Sequence, residues 1–377
     1  MFIKSKYIVL EDRVLENGAL EIENGKIKNI IENSSSLKDC TDYKDSIIAP
    51  GFVDTHVHGF SGHDIMDKSA DGLKIICEDI LKIGVTSFLP TTLTSSTEDL
   101  NEAVKVIGEN KNCYGAKVRG IFLEGPFFTT KHKGAQNPSY FSEPSIDKLK
   151  KWQELSGGII KKIAIAPELK ATEEFVKEAR KLGIYVALGH SDATYDEAKA
   201  AVDAGASIFV HTYNGMSPLH HRNPGMVGAA LTLKNVYAEL ICDGHHVHPA
   251  AADVVMKCRG CDSVALITDC MMAGGMPDGD YKLGDFDVKV AKGTARLKDG
   301  GLAGSILRLK DGVKNVINWG IASPFEALQM ASLVPAKSVG IDDVCGKIDL
   351  NRDADLIILD SNYDLEAVYL DGNLVSK

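Results

Sequence analysis

No stretch of this 377-residue chain approaches the roughly 18 consecutive apolar residues that a membrane span needs, which argues against a membrane-embedded role. The opening segment MFIKSKYIVLEDRVLENG has no apolar core followed by a small-residue cleavage site, so a cytoplasmic location is expected. Positive charge is also scarce: 42 Lys and Arg face 52 Asp and Glu, a formal net charge of -10. Nucleic acids and anionic membranes demand a concentrated positive field, and neither is an expected partner. A few local bases can still hold an anionic small molecule. The eight cysteines are scattered in apolar surroundings, as reduced thiols acting as small hydrophobes are. One C-x-x-C, Cys258 to Cys261, lacks the second pair that a four-ligand zinc ribbon requires. No internal repeat and no low-complexity segment is present.

What is there suits a large core, with 44% hydrophobic and 25% charged residues. The length exceeds that of a usual single domain, but a β/α barrel of roughly 250 residues plus a smaller companion accounts for it. The first fifty residues carry short β-rich runs broken by Glu-Asn-Gly turns, as in VLENGALEIENGKIKNIIEN, and predict a hairpin meander. GKIDLNRDADLIILD and AVYLDGNLV near the other end read the same way around an Asp-Gly turn. Residues 1–48 and 345–377 are therefore expected to pair into one small β-sandwich domain, split by an insertion at 49–344. Within the insertion, eight apolar strand-like runs alternate with helical stretches: GFVDTHVH, VTSFLPT, VRGIFLE, KKIAIAP, IYVALGH, SIFVHT, VYAELICD and SVALITD. ADGLKIICEDILKIG and ATEEFVKEARKLG space apolar residues by three and four and end on glycine, as helices do. The fold class read from this is α/β, a (β/α)8 TIM-type barrel. After the eighth run, DGDYKLGDFDVKVAKGTARLKDG predicts an inserted β-hairpin, and two helices follow near GVKNVINWG and PFEALQMAS.

In such barrels the chemistry sits at the C-terminal ends of the strands. His56 and His58 end the first run, Glu124 the third, His190 the fifth, His211 the sixth and Asp269 the eighth. In the first run the two histidines are separated by one residue, so on a strand both rings face the same side. Alone, that pair reads equally as a ligand pair or a hydrogen-bonded structural pair. Six metal-compatible side chains at one rim favour the ligand reading. Neutral imidazole and carboxylate without thiolate make a hydrolytic site for Zn or Fe with open positions for water and substrate.

This set resembles the amidohydrolase superfamily, in which an H-x-H on the first strand, histidines on strands five and six and an Asp on strand eight surround one or two metals. Many members bridge with a carboxylated lysine, and here Glu124 stands in that place. EGPFF, GHSDATYDEA, HTYNGMSPLHHRNPGMVGAAL, ELICDGHHVHP, LITDCMMAGGMPDGDYKLG and LAGS, in that order, narrow the resemblance to the N-acetylglucosamine-6-phosphate deacetylases. It implies Glu124, His190 and His211 as ligands of a main divalent metal, and His56 and His58 as ligands of a second. It implies Asp269 as the general base that takes a proton from the attacking water and later delivers it to the departing sugar amine. Asn214 and Gly215 are implied as phosphate contacts, as is Arg222, reaching in from the neighbouring subunit of a homodimer. His246 is implied as a sugar contact, and Leu302, Ala303 and Gly304 as a loop lining the sugar pocket.

One departure stands out. Well-known members carry, after EGP, a histidine that helps polarise the substrate carbonyl, whereas KHKGAQNP places Gln136 there. Glutamine can donate a hydrogen bond but cannot carry positive charge. A second metal at the intact H-x-H is expected to take over part of that polarisation. His132, four residues earlier, carries no assigned role. A deaminase or cyclic-amide hydrolase of the same superfamily would share the metal residues but not the sugar-phosphate loops. The galactosamine epimer of the substrate differs by one hydroxyl's orientation, which the sequence does not distinguish.

Overall fold

The computed structural model describes residues 1–376, with a ring of eight parallel strands at its centre. In chain order these are Phe52–Val57 (β1), Val85–Thr92 (β2), Ile121–Phe127 (β3), Ile160–Ile165 (β4), Tyr185–Leu188 (β5), Ile208–Phe209 (β6), Tyr237–Leu240 (β7) and Val264–Leu266 (β8). Each pairs in parallel with the next. The ring closes just beyond β8, where Val57 bridges Cys270 and the Asp269 amide donates to the His56 carbonyl at 2.9 Å.

All eight expected strands form. They read as continuous apolar runs because a barrel strand is covered on both faces, by the interior on one side and helices on the other. Helices occupy the expected places too. Ala70–Lys82 starts where the Ser69 hydroxyl accepts from the Gly72 amide at 3.0 Å, and it buries Leu73, Ile76, Cys77, Ile80 and Leu81. No helix among the described residues is long and apolar enough to cross a membrane.

Strands from both ends of the chain share a second sheet, in the order Asn373–Ser376, Leu365–Leu370, Leu356–Leu359, Ile47–Pro50, Phe2–Val9, Val14–Glu23 and Lys26–Ile31. Ile3, Ile8, Leu20, Ile27, Ile48, Leu356 and Ile358 give this sheet a core of its own. At its junction with the barrel, Lys117 Nζ lies 2.9, 2.8 and 2.6 Å from carboxylate oxygens of Asp353, Asp355 and Asp371.

Two local expectations fail. Asn24 and Gly25 do turn, with φ of 52° and 78°, but Glu16-Asn17-Gly18 lies inside the strand Val14–Glu23. Phe2–Val9 pairs along that whole length, Ser5 opposite Gly18 and Tyr7 opposite Glu16, so Asn17 at φ 54° only kinks the strand. The excursion after β8 has three antiparallel strands, Gly279–Leu283, Phe286–Ala291 and Thr294–Leu297, rather than a two-stranded hairpin, because Lys292-Gly293 supplies a second tight turn.

Candidate metal centre and active site

The strand-end side chains His56, His58, Glu124, His190, His211 and Asp269 meet at the C-terminal mouth of the ring. Their ligand atoms fall into two groups, each within 4.8 Å: His56, His58 and Asp269, and Glu124, His190 and His211. The backbone is bent to deliver them. His190, His211 and Asp269 have φ of 47°, 30° and 50°, a left-handed conformation that L residues other than glycine enter at a cost, and such strain gathers at functional sites.

Hydrogen bonds on the far side of the rings fix what the near side offers. His190 Nδ1 lies 3.1 Å from the His132 carbonyl and His211 Nδ1 lies 3.0 Å from the Asn214 carbonyl. A carbonyl only accepts, so both Nδ1 atoms carry hydrogen, which leaves the Nε2 atoms available as lone-pair donors to an ion. Those two Nε2 atoms are 3.1 Å apart, and Glu124 Oε1 is 3.4 and 3.1 Å from them. Three electron-rich atoms at that spacing need a cation among them. A tetrahedral ion with bonds near 2.1 Å keeps its donors about 3.4 Å apart, so the chemistry and the spacing fit a metal.

The second group repeats the pattern. His56 Nε2 stands 3.3 Å from Glu124 Oε1 and 3.4 Å from Asp269 Oδ1, yet it is buried without a hydrogen bond of acceptable geometry. His58 Nε2 lies 3.2 Å from both Glu124 Oε2 and Asp269 Oδ1. Glu124 thus faces both groups. Without an ion, protons must do the neutralising. Burial disfavours charge on both rings, but Asp269 and Glu124 override it and hold His56 up to about 9 and His58 up to about 10. Burial likewise opposes charge on the carboxylates; His56 keeps Glu124 well below its ordinary range, and His56 and His58 keep Asp269 below its own.

The remaining predicted residues have distinct placements. Gln136 is buried and committed at both ends: its Nε2 donates to Glu124 Oε2 at 2.6 Å and its Oε1 accepts from the Thr94 amide at 3.1 Å. Its amide therefore braces Glu124. Asn214 turns its side-chain amide to the His211 carbonyl at 3.3 Å. Gly215 packs flat on a ring, where an added Cβ would meet His190 Nδ1 at 3.0 Å. His246 lies under 10% exposed at the side chain, its Nδ1 2.7 Å from Asp243 Oδ2, which leaves Nε2 for another partner. Ala303 is buried and Gly304 takes φ 58° against the Asp269 carbonyl, while Leu302 is half-buried beside them. Arg222 is exposed on the loop after Met216, with its guanidinium 2.8 Å from His221 Nε2, apart from the six-residue cluster of its own chain.

Sequence reasoning missed the residues behind the cluster. Asp54 accepts from the Thr268 hydroxyl at 2.7 Å and the His56 amide at 3.2 Å, tying β1 to the segment that bears Asp269. Asp243 orients His246. Lys162 and Glu239, fully buried in β4 and β7, form an ion pair inside the barrel, and a signal existed: Glu239 is a lone charge in an otherwise apolar strand, and Lys162 lies on the inner side of a short apolar one.

Comparison with known proteins agrees with this geometry. Residues 47–375 match the model of the family described as "Amidohydrolase family". The chain belongs to the amidohydrolase family. It is 42% identical to an N-acetylglucosamine-6-phosphate deacetylase of Vibrio furnissii over 87% of this chain and 82% of that one. It is 39% identical to an N-acetylgalactosamine-6-phosphate deacetylase of Escherichia coli O157:H7 over 99% of both. Its fold superposes, at a TM-score of 0.96 and 28% identity, on a mutant N-acetyl-D-glucosamine-6-phosphate deacetylase of Mycobacterium smegmatis in complex with N-acetyl-D-glucosamine-6-phosphate, covering 100% of this chain and 99% of that one.

Proposed function

We propose that this amidohydrolase cleaves the acetamide of N-acetyl-D-glucosamine 6-phosphate with water, giving acetate and D-glucosamine 6-phosphate. The single observation that carries the reading is the convergence of Glu124, His190 and His211 beside His56, His58 and Asp269, on a chain with this likeness to sugar-phosphate deacetylases. An amide is a poor electrophile, so its hydrolysis needs an activated water and a stabilised oxyanion. A divalent ion, Zn or Fe, with one or two per subunit, supplies both by acidifying water and drawing on the carbonyl oxygen. Glu124, His190 and His211 hold the main ion. His56 and His58 hold a second.

Asp269 manages the proton. A carboxylate at that place can accept a proton from water and return it to the leaving amine. The Asp269 side chain is 13% exposed where that of Glu124 is 3% exposed, which favours access from the mouth. His246, oriented by Asp243, has a free Nε2 for a sugar hydroxyl, and the loop Leu302 to Gly304 closes the pocket wall against Asp269. The phosphate is assigned to backbone groups at Asn214 and Gly215, to the Asn214 side chain and to Arg222 of a second subunit, whose planar fork of donors suits a dianion. That assignment makes the working form a homodimer and explains why Arg222 stands clear of its own chain's cluster.

The test is release of free amine from purified protein, with N-acetylglucosamine 6-phosphate, its galactosamine epimer and the unphosphorylated sugars as parallel substrates. Turnover of the phosphorylated glucosamine form, and loss of most of it without the phosphate, is the expected result. Preferential turnover of the galactosamine epimer would reassign the substrate, and ammonia in place of acetate would reject the reaction.

A further inference from the structure

Beneath the metal ligands lies a charge pair that the proposed chemistry does not use. Lys162 and Glu239 have no exposed surface, although an isolated charge is among the costliest things to bury. Lys162 Nζ forms a hydrogen-bonded ion pair with Glu239 Oε1, approaches the Thr55 carbonyl at 3.5 Å and sits 3.7 Å over the Phe122 ring. The other carboxylate oxygen is the informative one. Glu239 Oε2 lies 3.3 Å from Nδ1 of His56, and Oε1 also accepts from the Thr55 hydroxyl at 3.3 Å.

His56 differs in this from His190 and His211, whose Nδ1 atoms rest on backbone carbonyls. A carboxylate behind a ligating imidazole fixes its tautomer, orients its plane and makes the far nitrogen a better donor. Phe122 completes the brace, edge-on to the His56 ring with centroids 4.8 Å apart. We infer that Glu239, paired with Lys162 inside the barrel, is a positioning residue for the second metal site, setting His56 so that its Nε2 faces that ion. This inference rests on the two-ion reading above. It names what makes the H-x-H pair a binding site in this chain: a charge relay across the barrel from β4 through β7 to β1.

The test uses full-length protein and Zn²⁺ as the probe, with ions counted per chain and each site's affinity measured by competition with a chelator. Removing one partner alone would strand a buried charge, so both are replaced by apolar residues of similar volume, Lys162→Met with Glu239→Leu. In that double variant the second ion is expected to bind about 10- to 100-fold more weakly, with the Glu124 site and the melting temperature of the metal-free protein unchanged. Lys162→Met with Glu239→Gln, which keeps a neutral acceptor for Nδ1–H, should recover part of the affinity. Wild-type affinity at both sites in the Leu variant would overturn the inference and leave the two-ion reading standing. Parallel weakening at both sites with a lowered melting temperature would mean a structural role and also overturn it. Wild-type protein holding a single ion would refute the two-ion reading itself, and this inference with it.

Discussion

The Nε2 atoms of His190 and His211 stand 3.1 Å apart with their opposite nitrogens donating to backbone carbonyls, so folding aims both Nε2 atoms at one point. An ion bound there meets donors already in place. Metal binding to the native state alone stabilises by about 4 kcal/mol when free metal exceeds its dissociation constant a thousandfold. Stripping the protein with a chelator is expected to lower the melting temperature in calorimetry, and returning Zn²⁺ should restore it. A melting temperature that stays put after metal analysis shows the ions gone would contradict the fit.

Gly215 allows that geometry. Its φ is +61° and a Cβ would press on His190 Nδ1 at 3.0 Å, against the atom that anchors the ring. Gly215→Ala should lose about 1–2 kcal/mol to backbone strain alone, and also weaken the main ion by shifting His190. Gly157→Ala is the control, with φ +69° and nothing within 4 Å of the added carbon. It should show a similar loss in denaturant unfolding with metal content intact. Equal metal content in both variants would mean that the ring tolerates the contact.

Asp269→Asn keeps size and removes the proposed proton acceptor. Turnover should drop about a hundred- to ten-thousand-fold, the range of general acid–base catalysis. Glu124, His190 and His211 do not depend on it, so elemental analysis should still find the main ion. Full activity in this variant would move the base elsewhere.

The eight strands and their polar ends were legible because a barrel strand must be apolar on both faces and can end in a ligand only at the mouth. The strand-end histidines therefore announced themselves. The kinked Asn17 did not, since a turn dipeptide inside a long paired strand looks like any other turn until its partner is known. Lys162 and Glu239 were visible as charges in apolar runs, but they lie about eighty positions apart and only the closed ring joins them. Gln136 reads as a substrate contact by position after EGP, and the fold gives its two amide atoms to Glu124 and Thr94. Which residue takes which hydrogen bond is a tertiary fact, and no local pattern carries it.

Lys117 joins the barrel to the terminal sheet through Asp353, Asp355 and Asp371, and its removal should matter more than a surface pair. Its side chain is 20% exposed and that of Asp355 only 8%, so Lys117→Met is expected to cost about 2 kcal/mol, short of the 3–5 typical of a fully buried pair. Burial works against charge on Asp353, yet Lys117 and Lys26 hold its carboxyl below the ordinary range. That stabilisation is complete above a carboxylate's ordinary pKa of about 4 and fades as pH falls toward the lowered value. Burial also opposes charge on Lys117, and its aspartate partners raise it above the ordinary value, so its contribution holds below about pH 10 and fades as pH climbs past the raised one. The stability difference between wild type and variant should be flat through neutral pH and shrink at both extremes in urea titrations. A difference that grew in acid would reverse the sign and dismiss the pairing.

Cys77 and Cys113 are both free thiols, with Sγ atoms 3.3 Å apart, on the helix Ala70–Lys82 and on the loop after Thr97–Asn110. Cys77 is buried and Cys113 half-buried, and the hydrogen bond between them holds the Cys113 thiol down to about 7. A thiolate is the nucleophile in disulfide exchange, so Cys113 should attack oxidised glutathione first, releasing one glutathione. Cys77 then attacks the Cys113 sulfur of the mixed disulfide and releases the second glutathione. Closing the gap to the 2.05 Å of a disulfide needs a modest shift of the loop rather than of the buried helix. The bond would span 36 positions and, by loop entropy, stabilise by about 3–4 kcal/mol. Peptide mapping without reductant should find Cys77 linked to Cys113, and the melting temperature should rise. Two unmodified thiols after equilibration with excess oxidised glutathione would show that the loop holds them too far apart to join.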